Sequence, residues 1–296
     1  MYDNINSYRK PSAAVLLSFA ATGLGHIYCG RLNKGLILFG LNFILIPIAL
    51  SFYLPVDSRY LYPLLISGLV FNCLLFVYAA FDAWRISSKF SAHYQLKPFN
   101  NRYLYIVLIL VSLAYPMLLP LYVKNHIVTA YKIPSSSMAP TILSGDFLLA
   151  NRVRYTRHSP QAGDIVVFPH PNQRHMVYMK RIIGLPGDSI CIKDRILYIH
   201  HKPVTVFGTD GKRAIETIRG RSYQIQWLGN GEDKEGKRDM PEILIPNGYC
   251  FVLGDNRNNS QDSRVFGLIP LRDLLGVAEY LYKPAKSWDR FGPIEQ

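Results

Sequence analysis

Three consecutive serines, Ser135, Ser136 and Ser137, stand between an Ile-Pro pair and the run Met-Ala-Pro-Thr, shortly before an apolar segment that begins at Phe147. Serine triplets are common in linkers, but this flanking order is not typical of one. A serine hydroxyl is a poor nucleophile until a neighbouring base removes its proton, and a histidine or a neutral lysine can serve as that base. The triplet is therefore a candidate nucleophile segment that needs a base from further along the chain.

Two later segments carry side chains that could complete such a site. Residues 178–188 contain Lys180 within an apolar, β-rich run and end in Gly-Leu-Pro-Gly-Asp. Residues 254–264 form a dense polar run of the kind that is usually an exposed loop. Spacing alone would make Lys180 a solvated lysine that points outward, so a role for it needs a further argument.

In this order the three segments resemble the nucleophile box, the general-base box and the last signature box of type I signal peptidases, over about Tyr131 to Tyr280. The resemblance implies that Ser137 is the nucleophile and Lys180 the general base of a membrane-bound serine endopeptidase. The implied reaction removes N-terminal signal peptides from exported preproteins, and it needs no cofactor and no metal.

The same resemblance implies two donors for the oxyanion, namely the backbone N–H of Ser137 and the hydroxyl of Ser135. Each such donor is typically worth about 10²–10³ in rate. Many members of the family have glycine between these two serines, whereas this chain has Ser136. A serine is tolerated at this position if its backbone φ angle is negative.

In the last signature box the resemblance implies that Ser260 hydrogen-bonds the lysine amine. An Asp262–Arg264 pair would brace the site, and Asp255 would support it. A second departure lies at Asn258, where many relatives carry aspartate.

A lysine can act as a base near neutral pH only if its pKa falls by several units from the ordinary value of about 10.4. Burial against apolar neighbours produces such a fall, because it disfavours the charged amine. We expect Met138 and Met179 to be among those neighbours of Lys180.

Three other readings compete with this one. Self-cleaving repressors share a Ser/Lys core, but they are soluble and carry a DNA-binding segment where this chain has apolar runs. Endoplasmic-reticulum signal peptidases use a histidine base, which would make His170 or His175 a candidate, yet the matching position holds Lys180. An inactive relative with a lipid- or partner-binding membrane part is disfavoured by the joint presence of Ser137, Lys180 and Ser260.

The first part of the chain must hold this site at a membrane. Residues 36–54, 61–81 and 103–123 are each long and apolar enough to span a bilayer, which needs roughly 20 residues. Residues 11–29 are interrupted by glycine and histidine, so they are either a fourth span or a re-entrant segment.

The orientation follows from the loop between the second and third long spans, which carries Arg85, Lys89, Lys97 and Arg102. The positive-inside rule places such a loop in the cytoplasm. Everything after residue 124 is then expected on the outer side of a bacterial inner membrane. Four spans would place the N-terminus outside and three would place it in the cytoplasm.

We therefore predict a multi-span α-helical membrane domain over residues 1–123 and a mainly-β extracytoplasmic catalytic domain of signal-peptidase type over residues 124–296. Residues 207–241 are polar and glycine-containing, and are expected to form an inserted β-ribbon or mobile loop outside the core.

Composition limits the partners. The formal net charge of +13 is spread over both parts rather than concentrated in one arm, which disfavours nucleic acid and suits a protein beside anionic lipid. The expected partners are preproteins and membrane lipid, with the secretion machinery as a further candidate. The sequence contains no Cys-x-x-Cys spacing, so it does not predict a zinc site. Cys191 and Cys250 are expected to be either disulfide-bonded or separately buried.

Overall fold

The computed structural model describes residues 9–53, 61–89, 94–227 and 239–294. The chain divides into two compact units, Met1–Val123 and Lys124–Gln296. The first unit is helical and the second is mainly β, as predicted. Parts of two predictions lie outside the described residues, namely the end of the span at residues 36–54 and positions 228–238 of the insertion.

The helices are α1 (Pro11–Ala20), α2 (Leu24–Tyr28), α3 (Leu32–Tyr53), α4 (Leu61–Ser87) and α5 (Arg102–His126). Among the described residues, two segments have the length and composition to cross a membrane, Ile66–Ser87 within α4 and Arg102–His126. Three or four spans are predicted from the sequence. The described residues give two candidate spans rather than three or four for two reasons. The side chains of residues 44–53 in α3 lie outside the described part, and α1 has only 10 residues.

Residues 11–28 form a helical hairpin rather than one long helix. At 1.5 Å per residue, the 10 residues of α1 extend only about 15 Å, half the thickness of a bilayer core. The chain turns at Gly23, whose φ of 90° suits glycine and where a Cβ would lie 2.2 Å from the carbonyl oxygen of Gly35. The backbone N–H of Lys10 donates to the hydroxyl of Tyr28 at 3.3 Å, so the two ends of the hairpin lie together.

The second unit contains 15 strands among its described residues: β1 (Val128–Lys132), β2 (Phe147–Asn151), β3 (Ile165–His170), β4 (Gln173–Gly184), β5 (Ser189–Lys193), β6 (Ile196–Ile199), β7 (Lys202–Pro203), β8 (Thr205–Phe207), β9 (Arg213–Ile218), β10 (Arg221–Gln226), β11 (Met240–Leu244), β12 (Tyr249–Leu253), β13 (Ile269–Pro270), β14 (Gly276–Lys283) and β15 (Gly292–Pro293). Two single-turn helices accompany them, α6 (Arg154–Arg157) and α7 (Ser263–Phe266).

These strands form three sheets. The largest has the order β1-β2-β14-β3-β4-β12-β13, with β15 paired to β14. Strands β10-β9-β8 form the second sheet and β11-β5-β6-β7 the third. Neighbours in all three sheets run antiparallel, which suits strands that expose one face to water.

The largest apolar cluster joins the three sheets and includes Ile183, Ile190, Leu197, Ala214, Ile218, Ile225, Trp227 and Phe251. The expectation that the segment beginning at residue 207 lies outside the core is therefore wrong for its described part. Strand β9 alternates exposed and buried positions, and its inward residues Ala214 and Ile218 lie in the core. The outward residues make the segment polar on average, which hides the period-2 pattern of a half-buried strand.

The two cysteines of this unit are free thiols. Cys250 is buried in β12 and Cys191 is half-buried in β5. Of the two alternatives expected from the sequence, the structure therefore has two unpaired cysteines rather than a disulfide.

Candidate active site

Lys180 and Ser137 meet although 43 positions separate them along the chain. The amine Nζ of Lys180 donates to the hydroxyl Oγ of Ser137 at 2.7 Å. Lys180 lies in the buried half of β4, opposite Val166 of β3. The first five residues of β4, positions 173–177, are exposed. The strand thus carries the lysine from a solvated hairpin into the sheet, where the residue is 3% exposed.

Burial changes the acid–base properties of this lysine. It lowers the pKa of Lys180 to about 8, against the opposing effect of the Asp262 and Asp255 carboxylates. Met138 and Met179 line the same cleft as the amine. At pH 7 a pKa of about 8 leaves about one amine in ten neutral, against about one in three thousand at the ordinary value.

The serine triplet lies in a closed loop between β1 and β2. Two backbone hydrogen bonds join the ends of this loop, from Ile133 to Asp146 at 2.8 Å and from Gly145 to Ile133 at 2.7 Å. The backbone N–H of Ser137 donates to the hydroxyl of Ser135 at 3.1 Å. The two expected oxyanion donors are therefore adjacent, and in this state one of them is bonded to the other.

Two asparagines of the last signature box hold the triplet, and the sequence reasoning missed both. The side-chain amide of Asn256 donates to the carbonyl oxygen of Ser136 at 3.2 Å. The side-chain amide of Asn259 donates to the hydroxyl of Ser136 at 2.9 Å. Ser136 thus offers Asn259 a hydroxyl acceptor, which a glycine at this position would lack. Neighbouring asparagines in a polar run were the only signal in the sequence.

Asp262 and Arg264 form a two-point ion pair, with Nε to Oδ1 and Nη2 to Oδ2 both at 2.8 Å. Asp262 is fully buried and also accepts from the backbone N–H of Gly254 at 3.0 Å. Burial would raise the pKa of Asp262, but the Arg264 charge and these hydrogen bonds outweigh it and lower the pKa. The pair therefore stays ionised and fixes the loop.

Asp255 pairs with Arg181, the residue that follows the lysine and that the sequence reasoning did not single out. Nε of Arg181 donates to Oδ1 at 2.9 Å and Nη2 donates to Oδ2 at 2.8 Å. The hydroxyl of Thr141 donates to the same carboxylate at 2.6 Å. This buried group connects the serine loop, β4 and the last signature box.

Comparison with known proteins decides the family. The family described as signal peptidase, peptidase S26, matches residues 101–283. The chain belongs to this family. A protein of Synechocystis sp. named probable signal peptidase I-1 is 32% identical over 195 residues, which cover 63% of this chain and 85% of that protein. The signal peptidase I of Rickettsia canadensis is 31% identical over 216 residues, which cover 60% of this chain and 81% of the relative.

A solved structure of a signal peptidase I from Enterococcus faecalis V583 is 28% identical, covers 40% of this chain and 97% of its own, and has a TM-score of 0.29. The assignment to the signal peptidase family rests on the matched residues 101–283 and on the sequence relatives. The chain is thus a hydrolase of the signal peptidase I type, as predicted.

The signal peptidase cleft beside the Ser/Lys pair has a volume of about 460 Å³. Ser135, Ser137, Lys180 and Ser260 all line it, together with apolar residues of β1 and β4. Ser260 is 3% exposed, and within the described residues its hydroxyl makes no hydrogen bond of good geometry. The implied bond from the lysine to Ser260 is therefore not formed in this state, although both groups face the same cleft.

Neither histidine candidate is bonded to the serine within the described part of the chain. His170 is buried, and its ring lies 4.7 Å from that of Tyr178 and 5.3 Å from that of Phe266, between centroids. His175 is exposed on β4. In the described residues, no group of three or more His, Cys, Asp or Glu side chains could hold a metal ion.

Proposed function

We propose that this protein is a membrane-bound endopeptidase that removes signal peptides with Ser137 as nucleophile and Lys180 as general base. The observation that carries the proposal is the 2.7 Å hydrogen bond between the two side chains at a buried position. A serine activated by an adjacent base is the arrangement that acyl transfer requires.

The chemistry proceeds in two steps. Neutral Lys180 takes the hydroxyl proton of Ser137 as the oxygen attacks the scissile carbonyl, and the resulting ammonium gives that proton to the leaving amine. The product is an ester between Ser137 and the signal peptide. In the second step the neutral amine takes a proton from water, the hydroxide attacks the ester, and the proton returns to the serine oxygen.

The oxyanion formed in each step needs donors. We assign them to the backbone N–H of Ser137 and the hydroxyl of Ser135, which are adjacent in the cleft. The hydroxyl of Ser135 must turn from accepting the N–H to donating to the oxyanion, which rotation about one side-chain bond allows. Donors directed at the oxyanion are often the largest single contribution to catalysis.

Ser260 is the candidate orienting group for the lysine. Its hydroxyl is buried in the cleft and interacts with the Asp262 carboxylate, whose pKa it helps to lower, so its oxygen is available to accept from the Lys180 amine when Ser137 forms its bond to substrate. The Asp262–Arg264 pair holds the loop that presents it.

The membrane location is a proposal as well. Two apolar helices, Ile66–Ser87 and Arg102–His126, flank a loop with a basic excess, which supports a cytoplasmic position for that loop. The hairpin of residues 11–28, whose ends meet at Lys10 and Tyr28, supports the re-entrant alternative. With α3, α4 and α5 as spans, the N-terminus is cytoplasmic and residues after 124 lie on the outer face.

The direct test is cleavage of a signal-bearing precursor in detergent by the wild type and by Ser137→Ala. Ser144→Ala is a matched control, because its hydroxyl lies in the same loop and bonds only the carbonyl of Pro134 in the described structure. The proposal requires that Ser137→Ala be inactive and Ser144→Ala active. Equal cleavage by the wild type and Ser137→Ala would remove it.

A further inference from the structure

Arg290 lies beyond the residues that match the signal peptidase family, which end at 283, yet it binds the loop that carries Ser137. Nη1 of Arg290 donates to Oδ1 of Asp146 at 2.9 Å, and Nη2 donates to Oδ2 at 2.7 Å. Nη2 also donates to the carbonyl oxygen of Thr141 at 2.9 Å. One guanidinium therefore holds two points of the serine loop.

Asp146 is the base of that loop. Its carboxylate accepts the backbone N–H of Leu143 at 2.7 Å and that of Ala285 at 2.8 Å, and it is fully buried. Burial would raise the pKa of Asp146, but hydrogen bonds from Arg290 and the backbone lower it. Loss of Arg290 would leave a buried carboxylate without its cation, which forces the surrounding loop to move or to admit water.

Thr141 is held from the opposite side as well. Its hydroxyl donates to Asp255, the partner of Arg181, and Arg181 directly follows Lys180 on β4. The carbonyl of Thr141 is held by Arg290 at the same time. The main chain four residues beyond the nucleophile is thus fixed between the lysine strand and the C-terminal segment.

The C-terminal segment is itself anchored. Gly292 and Pro293 pair with β14, and the backbone N–H of Ile294 donates to the carbonyl of Glu279 at 2.9 Å. The side chain of Ile294 packs against the apolar cluster that contains Met138, the residue after the nucleophile. Arg290 therefore projects from a fixed support.

We propose that Arg290 is a positioning residue for Ser137, an inference that rests on the proposed function. Arg290 does not line the cleft of about 460 Å³ in the described structure, so it acts through Thr141 and Asp146 rather than on substrate. Its role is to keep the serine oxygen at hydrogen-bonding distance from the lysine amine. A displacement of about 1 Å in such an arrangement can cost about 100-fold in rate.

The test compares the full chain in detergent with Arg290→Gln, Arg290→Lys and the control Arg174→Gln. Arg174 makes a similar two-point pair with Asp273, at 2.8 and 3.2 Å, at an exposed site away from the serine loop. We expect Arg290→Gln to lower kcat for precursor cleavage by about 10- to 100-fold with KM within about twofold of wild type. Arg290→Lys should recover part of kcat because it retains the charge but not all three hydrogen bonds.

A second readout does not depend on turnover. Hydrogen exchange of the backbone amides of residues 138, 139 and 141–143, measured without substrate, should accelerate in Arg290→Gln and remain unchanged in Arg174→Gln. The acidic limb of the pH profile should stay where it is, because the surroundings of Lys180 are intact.

Unchanged exchange in the loop, or a folded Arg290→Gln protein with wild-type kcat, would overturn the proposal. If Arg290→Gln does not fold, the same two measurements on Arg290→Lys decide. Failure of the Ser/Lys mechanism is recognised separately, since Ser137→Ala would then cleave while the exchange result still reports on the loop.

Discussion

The backbone N–H of Asn256 donates to the carbonyl oxygen of Ser137 at 3.0 Å. This bond joins the main chain of the serine loop to the main chain of the last signature box, so at position 256 only a proline would remove it directly. The side chain of Asn256 adds a bond to the carbonyl of Ser136. The two loops therefore form one structural body, to which β4 contributes the lysine.

The first prediction separates a base from a positive charge at position 180. Lys180→Arg retains a cation but cannot lose a proton in a protein, and Lys180→Ala has neither. We expect both variants to be nearly inactive in precursor cleavage. Ser260→Ala should be impaired less, because that serine only orients the amine. Cleavage by folded Lys180→Arg at close to the wild-type rate would show that another residue is the base.

The second prediction concerns pH. The reactive lysine is neutral, so the rate should rise with pH through the folded-state pKa of about 8 and level off above it. Below that pKa, kcat/KM should fall about tenfold per pH unit, because the pKa of the substrate-free protein governs this parameter and one group is protonated. Rates measured from pH 6 to pH 10 on a single precursor test this. A profile flat between pH 6 and 8 would contradict a lysine base with this pKa.

The third prediction is that the lysine costs stability. A folded-state pKa of about 8 against an ordinary 10.5 means that the unfolded chain binds the proton more tightly, so the cost is complete below about pH 8. It amounts to about 3 kcal/mol. Lys180→Met, of similar length and uncharged, should therefore raise the free energy of unfolding at pH 7.

The pH dependence supplies the control for that effect. As pH rises from about 8 to 10.5 the destabilisation of the wild type disappears, so the difference in the free energy of unfolding between the two proteins should shrink. Chemical denaturation followed by tryptophan fluorescence, to which the buried Trp227 contributes, measures this difference at both ends of the pH range. If Lys180→Met were less stable than the wild type at pH 7, burial of the amine would not destabilise the folded protein, and the prediction would be wrong.

The fourth prediction concerns substrate choice. The resemblance to type I signal peptidases implies that small side chains are accepted immediately before the cut and two residues earlier, and we expect the substrate to add as an extended strand beside the cleft. Precursors that differ only at these two positions should be compared by the rate of product formation. Efficient processing of a precursor with bulky residues at both sites would refute the rule.

The fifth prediction concerns topology. A reporter that is active only outside the cytoplasm should give a signal when fused after Gln296 and none when fused before Met1, because the hairpin of residues 11–28 returns to its starting side. Signal from both fusions would indicate four spans. No signal from a stably expressed C-terminal fusion would reverse the proposed orientation.

Local sequence was informative where chemistry depends on a short run of residues. The Met-x-Pro-Thr run after Ser137 and the apolar neighbours of Lys180 could be read directly, and the structure brings the side chains of Ser137 and Lys180 into contact. The site roles remain predictions until activity is measured.

The remaining parts depend on contacts that no local pattern contains. Arg181 reaches Asp255 across 74 positions and Arg290 reaches Asp146 across 144, so each pairing exists only once the sheets have formed. The burial of β9 was missed for a different reason. Its inward face includes Glu216, a charged residue that is buried because Arg257 and Tyr223 bond it.

The hydrogen bond from the N–H of Ser137 to the hydroxyl of Ser135 has a consequence for inhibitors. In the resting protein this amide is already satisfied, so a ligand that places an anionic oxygen there exchanges one bond for another instead of gaining a new one. A boronate or aldehyde would therefore bind more weakly than its contacts suggest. Ser135→Ala would release the amide while removing one donor, and for a ligand that uses only the amide it should increase affinity.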